Sequence, residues 1–453
     1  MKGSNRLRFS TQQYPTMAPG ASVAVRRLRF WWWRRGSRAR AIVKLGFTAL
    51  LLTICAILNS RSRESALAAA PQPPAASTDP ALVHLTLVRD AKKKGAVCLD
   101  GSPPGYHMQT GFGSGKDSWL IFLEGGGWCN SVASCTSRKM TALGSSHYME
   151  RQVPFVGILS DIQSQNPDFY NWNKVRVRYC DGASYSGNVK SDIQNGTKLF
   201  FRGQHIWEAI MDELLMKGLA NAKQAFLTGC SAGGLATFIH CEDFRRLLPK
   251  EVTAKCLADA GFFLDEMDIS KRRFIRSFYD DVVRLQDVGK KFQDCLPRME
   301  PSQCFFAREI IKNINTPLFI LNPAYDVWQI QHILAPESSD DQQSWLRCKL
   351  NIRNCDSDQI ESLQGFRAAL LDALSDFQHN KNGGMLINSC FIHCQTMNGI
   401  TWHSPNSPKI NNKTIAEAVG DWYLDRREVK EIDCAYPCNP TCINLDLMHP
   451  FKM

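Results

Sequence analysis

A chain of 453 residues, 44% apolar and 21% charged, has the balance of a globular protein with ample core, as one large domain or two ordinary ones. Its formal charge of +11 does not describe that core, because residues 1–44 carry eleven Lys and Arg and no Asp or Glu, which leaves the remainder neutral. The globular part is therefore not a general polyanion binder, and nucleic-acid binding loses its main support.

The basic leader, residues 1–44, precedes an uncharged apolar segment at 45–58. That length fits the core of a signal peptide better than a bilayer span, which needs about 20 residues. Adding Ile42 and Val43, with Lys44 reaching to the interface and Trp31, Trp32 and Trp33 nearby, keeps a type II membrane anchor through 42–58 equally open. Both readings put the C-terminal bulk outside the cytosol, in the secretory lumen or the extracellular space. Residues 59–81 are an Ala/Pro/Ser linker, and 82–453 read as a single catalytic domain without internal repeats.

Of 17 cysteines, Cys55 lies in the apolar segment, which leaves an even number for the exported part. In an oxidising compartment most of these are expected as disulfides. Cys129/Cys135, Cys295/Cys304 and Cys348/Cys355 are spaced as small-loop staples. The ladder Cys434, Cys438, Cys442, with His449 nearby, resembles a zinc spacing, but such a ladder in a secreted chain reads as disulfides, and no metal is expected. Asn195 and Asn412 open N-x-Thr glycosylation sites suited to surface loops.

Strands and helices then alternate. Residues 118–123 form a buried strand running into Gly125, Gly126 and Gly127, and 174–179 a strand ending at Cys180-Asp181-Gly182. Residues 205–219 make an amphipathic helix, 226–228 a strand and 232–248 a helix stopped by Pro249. Residues 256–258 lead to Asp259, 317–321 form a strand before Asp326, and 385–392 are the last apolar run, followed at once by His393. This alternation predicts an α/β fold with a mainly parallel central sheet flanked by helices, disulfide-stapled insertions, and ligands at the carboxyl ends of the strands.

Between one such strand and helix lies Gly229-Cys230-Ser231-Ala232-Gly233, the layout of a nucleophile elbow. A serine hydroxyl needs a base to take its proton and a carboxylate to orient that base. Of the later histidines, His240 sits too far along the elbow helix, whereas His393 follows a strand and is the candidate base. Asp326, in a loop after a strand, is the candidate acid, ahead of Asp259. The backbone amides of Ala232 and of Gly126 and Gly127 are candidate oxyanion donors. Trp128 is a candidate platform for a sugar ring, or else a cover for the core. Asp181 and Tyr185 are candidate substrate contacts on a loop that reads equally as a disulfide-pinned turn. Cys230, behind the nucleophile, is open to being a free thiol.

Taken together, Gly125-Gly126-Gly127-Trp128-Cys129, Tyr179-Cys180-Asp181-Gly182-Ala183-Ser184, Gly229-Cys230-Ser231-Ala232-Gly233-Gly234, Asn322-Pro323-Ala324-Tyr325-Asp326 and Asn388-Ser389-Cys390-Phe391-Ile392-His393-Cys394-Gln395 resemble the plant pectin acetylesterases. That carbohydrate esterase family also includes the animal Wnt deacylase Notum. The resemblance, from about residue 82 to 442, implies an α/β-hydrolase-like fold and a triad of Ser231, Asp326 and His393. It also implies acetylated pectin of the cell wall as the substrate, deacetylated through an acetyl-enzyme without a cofactor. A lipid- or protein-linked acyl-ester deacylase of the Notum type, with a deep apolar pocket beside Ser231, is the first alternative. A catalytically silent glycan-binding protein is the second. Two features depart from the family pattern: Asn188 stands where an acidic residue is usual, and the leader is longer and more basic than a simple signal peptide.

Overall fold

The structure, a computed structural model, describes residues 80–448 apart from 192 and 195, together with Thr53. The leader, the apolar segment other than Thr53, the linker up to residue 79, Asn195 and His449 lie outside the described residues. Among the described residues, no helix is long and apolar enough to cross a membrane.

The strands in chain order are β1 Leu82–Leu87, β2 Gly105–Gln109, β3 Ser118–Leu123, β4 Gln152–Pro154 and β5 Asn173–Val177, then a two-stranded ribbon of β6 Ile193–Gln194 and β7 Thr197–Lys198. They continue with β8 Gln224–Cys230, β9 Thr253–Asp259, β10 Leu318–Pro323 and β11 Gly384–Asn388. A second ribbon, β12 Lys409–Ile410 with β13 Lys413–Thr414, precedes β14 Lys430–Ile432. Ten of these form one sheet in the order β14-β11-β10-β9-β8-β3-β5-β2-β1-β4. Every pairing from β14 across to β5 is parallel, and β2, β1 and β4 extend the edge antiparallel.

Period-two alternation explains why the sheet needs cover on both faces. Trp119, Ile121 and Leu123 of β3, with Ala225 and Leu227 of β8, join one core, which also buries Leu235, Ala236, Phe238 and Ile239 of the helix Ala232–Leu247. Leu120 and Phe122, with Phe226 and Cys230, join the opposite core, covered by Ile415, Val419 and Trp422 of the helix Ile415–Tyr423. After β3 the chain places β5 on one side of it and β8 on the other. The carboxyl ends of β3 and β8 therefore flank the point where strand order reverses, which is where open α/β sheets form their crevices.

The expected α/β-hydrolase-like architecture is present, with two differences in detail. The apolar run 385–392 is strand only to Asn388, so His393 stands on a loop and not at a strand's end. Side-chain bonds pull the chain from the ladder there: Asn388 Nδ2 donates to Gln395 Oε1 at 2.8 Å, and the Ser389 amide and hydroxyl both donate to Asp433 Oδ2. The antiparallel edge and β14 also extend the sheet beyond the strands expected from periodicity.

Eight disulfides pair all cysteines from Cys98 to Cys442. The three short-spaced staples are among them. Cys434 pairs with Cys438 and Cys442 with Cys390, so this ladder presents no thiolate to a metal. Cys230 is not a free thiol: it is bonded to Cys394.

Candidate active site

Ser231 joins β8 to the helix Ala232–Leu247 with φ 60° and ψ −127°, outside the regions a side-chain-bearing residue ordinarily adopts. Its amide donates to the main-chain oxygen of Asp259 at 2.9 Å, which fixes the turn against β9. Helix and strand meet so closely that a Cβ on Gly233 would run into the carbonyl oxygen of Leu123. Ser231 keeps 8% of its surface exposed, and its hydroxyl does not cap the helix.

Asp326 follows β10 and is 1% exposed. Its Oδ1 accepts the Gln329 amide at 3.1 Å, capping the next helical turn. Both carboxylate oxygens accept from His393 Nδ1, at 2.9 and 2.8 Å. Burial opposes a charge on His393, but the attraction of Asp326, with a contribution from Asp259, outweighs it and raises the imidazole above the usual histidine value. With Nδ1 committed, Nε2 is buried and has no hydrogen-bond partner. It makes no hydrogen bond to the Ser231 hydroxyl, a contact that in serine hydrolases commonly tightens only in the substrate complex.

Covalent structure brings His393 to the elbow. The disulfide joins the residue before Ser231 to the residue after His393, and a ring nitrogen of His393 and the two sulfurs lie within 4.8 Å of one another. Asp259 strengthens the same junction. Its Oδ2 accepts the amides of Gln395 at 2.7 Å and Thr396 at 2.8 Å and the Thr396 hydroxyl at 2.7 Å. Burial raises the pKa of this carboxyl, and those bonds oppose the rise. The structure thus puts Asp326, not Asp259, on the imidazole.

Removing this junction gives a first prediction. Replacing Cys230 and Cys394 together with Ala should lower kcat by roughly 10- to 100-fold, on the scale of an angstrom-level misplacement. A cross-link spanning 164 residues also contributes about 5 kcal/mol by loop-closure entropy, so the melting temperature should fall. Steady-state kinetics and thermal unfolding on the same sample test both, with the remote Cys295/Cys304 pair replaced as a control. An unchanged kcat in the Cys230/Cys394 variant would show that the disulfide does not position the base.

The glycine loop after β3 runs beside the elbow, since a Cβ on Gly125 would lie 2.9 Å from that of Ser231. Gly126 and Gly127 both have positive φ, 146° and 65°. Their carbonyls are held from outside: Arg138 donates to Gly126 O at 2.8 Å and Gly127 O at 3.4 Å, and the Tyr179 hydroxyl donates to Gly127 O at 2.9 Å. In a trans peptide the C=O and the following N–H point in opposite directions, so the amides of Gly127 and Trp128 face away from Arg138. The Trp128 amide, Arg138 and Tyr179 are additions that the sequence did not suggest.

The three candidate substrate contacts are all buried. Asp181 is fully buried, accepts the amides of Ala183 and Tyr185 at 3.0 and 2.9 Å, and burial lifts its pKa to about 6. Tyr185 is also fully buried, its hydroxyl donating to Val177 O at 3.2 Å. Both shape a turn pinned by Cys98–Cys180, in which Ser184 and Tyr185 have left-handed φ, the second reading the sequence offered for this loop. Trp128 is 8% exposed, its indole donating to Ser184 Oγ at 2.8 Å and its ring packed among aromatics, which makes it a core residue and not an open sugar platform. Asn412 is exposed at the tip of the β12–β13 ribbon.

Residues 76–443 match the family model described as Pectinacetylesterase. Pectin acetylesterase 5 of Arabidopsis thaliana is 58% identical over 366 residues, covering 81% of this chain and 86% of that protein. Palmitoleoyl-protein carboxylesterase notum1a of Danio rerio is 31% identical over 248 residues, covering 52% of this chain and 49% of its own. The crystal structure of the Wnt deacylase Notum from Drosophila matches with a TM-score of 0.66 at 22% identity, covering 80% of this chain and 100% of that one, a likeness of fold.

Proposed function

The chain belongs to the pectinacetylesterase family, a family of carboxylic ester hydrolases, and we propose that it removes acetyl groups from pectin through Ser231, His393 and Asp326. The observation that carries the reading is the imidazole of His393, oriented by Asp326 through Nδ1, with its Nε2 buried and unpaired, on a backbone that the Cys230–Cys394 disulfide ties to the elbow.

His393 Nε2 takes the proton of Ser231 as its oxygen attacks the acetyl carbonyl. The amides of Ala232 and of the Gly126–Gly127 loop, with that of Trp128, hold the tetrahedral oxyanion. His393 then returns the proton to the departing sugar oxygen, leaving an acetyl-enzyme. Water, deprotonated by His393, attacks that ester, and acetate leaves as Ser231 regains its proton. Eight disulfides support action in an oxidising compartment, the cell wall or the secretory lumen. Purified protein incubated with acetylated pectin should release acetate. Absence of release, with hydrolysis of other acyl esters intact, would remove pectin as the substrate.

The pH dependence follows from the direction of the His393 shift. The base must be neutral to accept a proton, and its pKa lies above the ordinary value of about 6.5. Plotted against pH, kcat/KM should therefore fall as pH drops through a single ionisation above that value. A rate flat from roughly pH 5 to 8 would contradict a histidine base.

A further inference from the structure

An aromatic wall closes one side of the candidate site. Trp328, two residues after Asp326, has its ring 6.3 Å from that of His393, the planes inclined by 30°. It meets Phe263 at 5.1 Å and Trp128 at 5.7 Å, both edge to face, and His332 lies against it at 4.6 Å. Trp128 packs in turn on Phe263 at 5.0 Å and Tyr279 at 5.1 Å. Phe263, Tyr279 and Trp128 are buried, whereas Trp328, beside His393, is partly exposed. The wall spans from the residue after the oxyanion loop to the side of the base.

Three groups surround the reacting carbon besides the serine oxygen. The oxyanion belongs with the backbone amides, and the leaving oxygen belongs with His393 Nε2. A polysaccharide extends beyond the ester in both directions, so its sugars must lie on an open side of the site. The direction closed by Trp128, Phe263 and Trp328 is then left to the acyl group. A methyl group fits against such a wall, but each further methylene needs volume that a ring already fills, and close-packed interiors do not yield that volume freely.

We propose that Trp328 sets the acyl-chain length this enzyme accepts, its indole filling the space beside Ser231 and His393 that a chain longer than acetyl would occupy. The proposal rests on the serine esterase reading above. It makes Trp328 a specificity residue that acts by volume on the acyl half of the ester and leaves the sugar half untouched.

The test compares wild type, Trp328→Ala and Trp328→Phe on p-nitrophenyl acetate and octanoate, with acetylated pectin assayed in parallel and folding checked by circular dichroism. Differences of one methylene in an apolar pocket are worth about 10- to 200-fold. The octanoate-to-acetate ratio of kcat/KM should therefore rise at least about tenfold in Trp328→Ala, with Trp328→Phe intermediate. The Phe variant keeps an aromatic in the wall and carries the test if the Ala variant does not fold. An unchanged ratio in folded variants overturns the chain-length limit alone. So does a proportional loss on both esters, or a higher KM on pectin at constant ratio, which would assign Trp328 to support of His393 or to sugar stacking. Inactivity of the wild type on every ester removes the esterase reading and this limit together.

Discussion

Ser231→Ala is expected to abolish acetate release from acetylated pectin, by a factor on the order of 10⁶ in kcat, while leaving the fold intact. The elbow makes this substitution unusually clean. Ser231 Oγ does not cap the helix, and the strained backbone at φ 60°, ψ −127° is no harder for alanine than for serine. The hydrogen bond from its amide to Asp259 O and the neighbouring Cys230–Cys394 disulfide involve no side-chain atom of Ser231. Binding of the polymer should survive, because the substitution removes only the attacking oxygen. Kinetics with a sensitive acetate assay, set beside circular dichroism and thermal unfolding, separate loss of chemistry from loss of structure. Retained hydrolysis by the folded variant would remove the covalent mechanism.

The second large effect is expected at Asp326. Asp326→Asn should lower kcat by about 10⁴-fold, the scale on which a base held in the wrong tautomer fails. Asn is isosteric and an equally good N-cap, so the bond to the Gln329 amide is preserved and the loop after β10 should fold normally. The carboxylate, however, is lost as the acceptor of two bonds from His393 Nδ1 and as the attraction that raises its pKa. The acid limb of the rate profile should therefore move to lower pH in the variant, toward an unassisted buried histidine. Asp259→Asn makes the comparison informative. Its carboxylate anchors Gln395 and Thr396, so its loss should reduce stability and displace His393 without leaving the imidazole unpaired. A larger loss of kcat at Asp259 than at Asp326 would reverse the assignment of the acid.

The parts of this site that are legible in the sequence are those whose physics is local. A strand, small residues around a serine, and a helix start all fall within one short stretch, and the steric demand of the turn explains its glycines. Buried parallel strands likewise announce themselves as continuous apolar runs. What escapes local reading is set by partners distant in the chain. Nothing near Cys230 marks its bond to Cys394, since a thiol beside a nucleophile reads the same whether free or paired. Arg138 follows the glycine loop by about a dozen residues and looks like any helix-end arginine until its guanidinium is seen on the Gly126 and Gly127 carbonyls. Asp181 and Tyr185 have the composition of a solvent-facing loop, yet left-handed backbone at Ser184 and Tyr185 turns the segment inward. His393 illustrates a boundary error: apolar residues continue past Asn388, but side-chain bonds to Gln395 and Asp433 end the strand earlier than hydrophobicity does.

The claim on which the rest depends is that Ser231 is an activated nucleophile driven by His393. A fluorophosphonate probe forms a covalent adduct with such a serine and is inert toward ordinary hydroxyls. Peptide mapping after labelling of the native, acetyl-releasing protein should find a single adduct, on the peptide that contains Ser231, formed much more slowly in Asp326→Asn. An adduct on another residue, or none in a preparation that still releases acetate, would contradict the account.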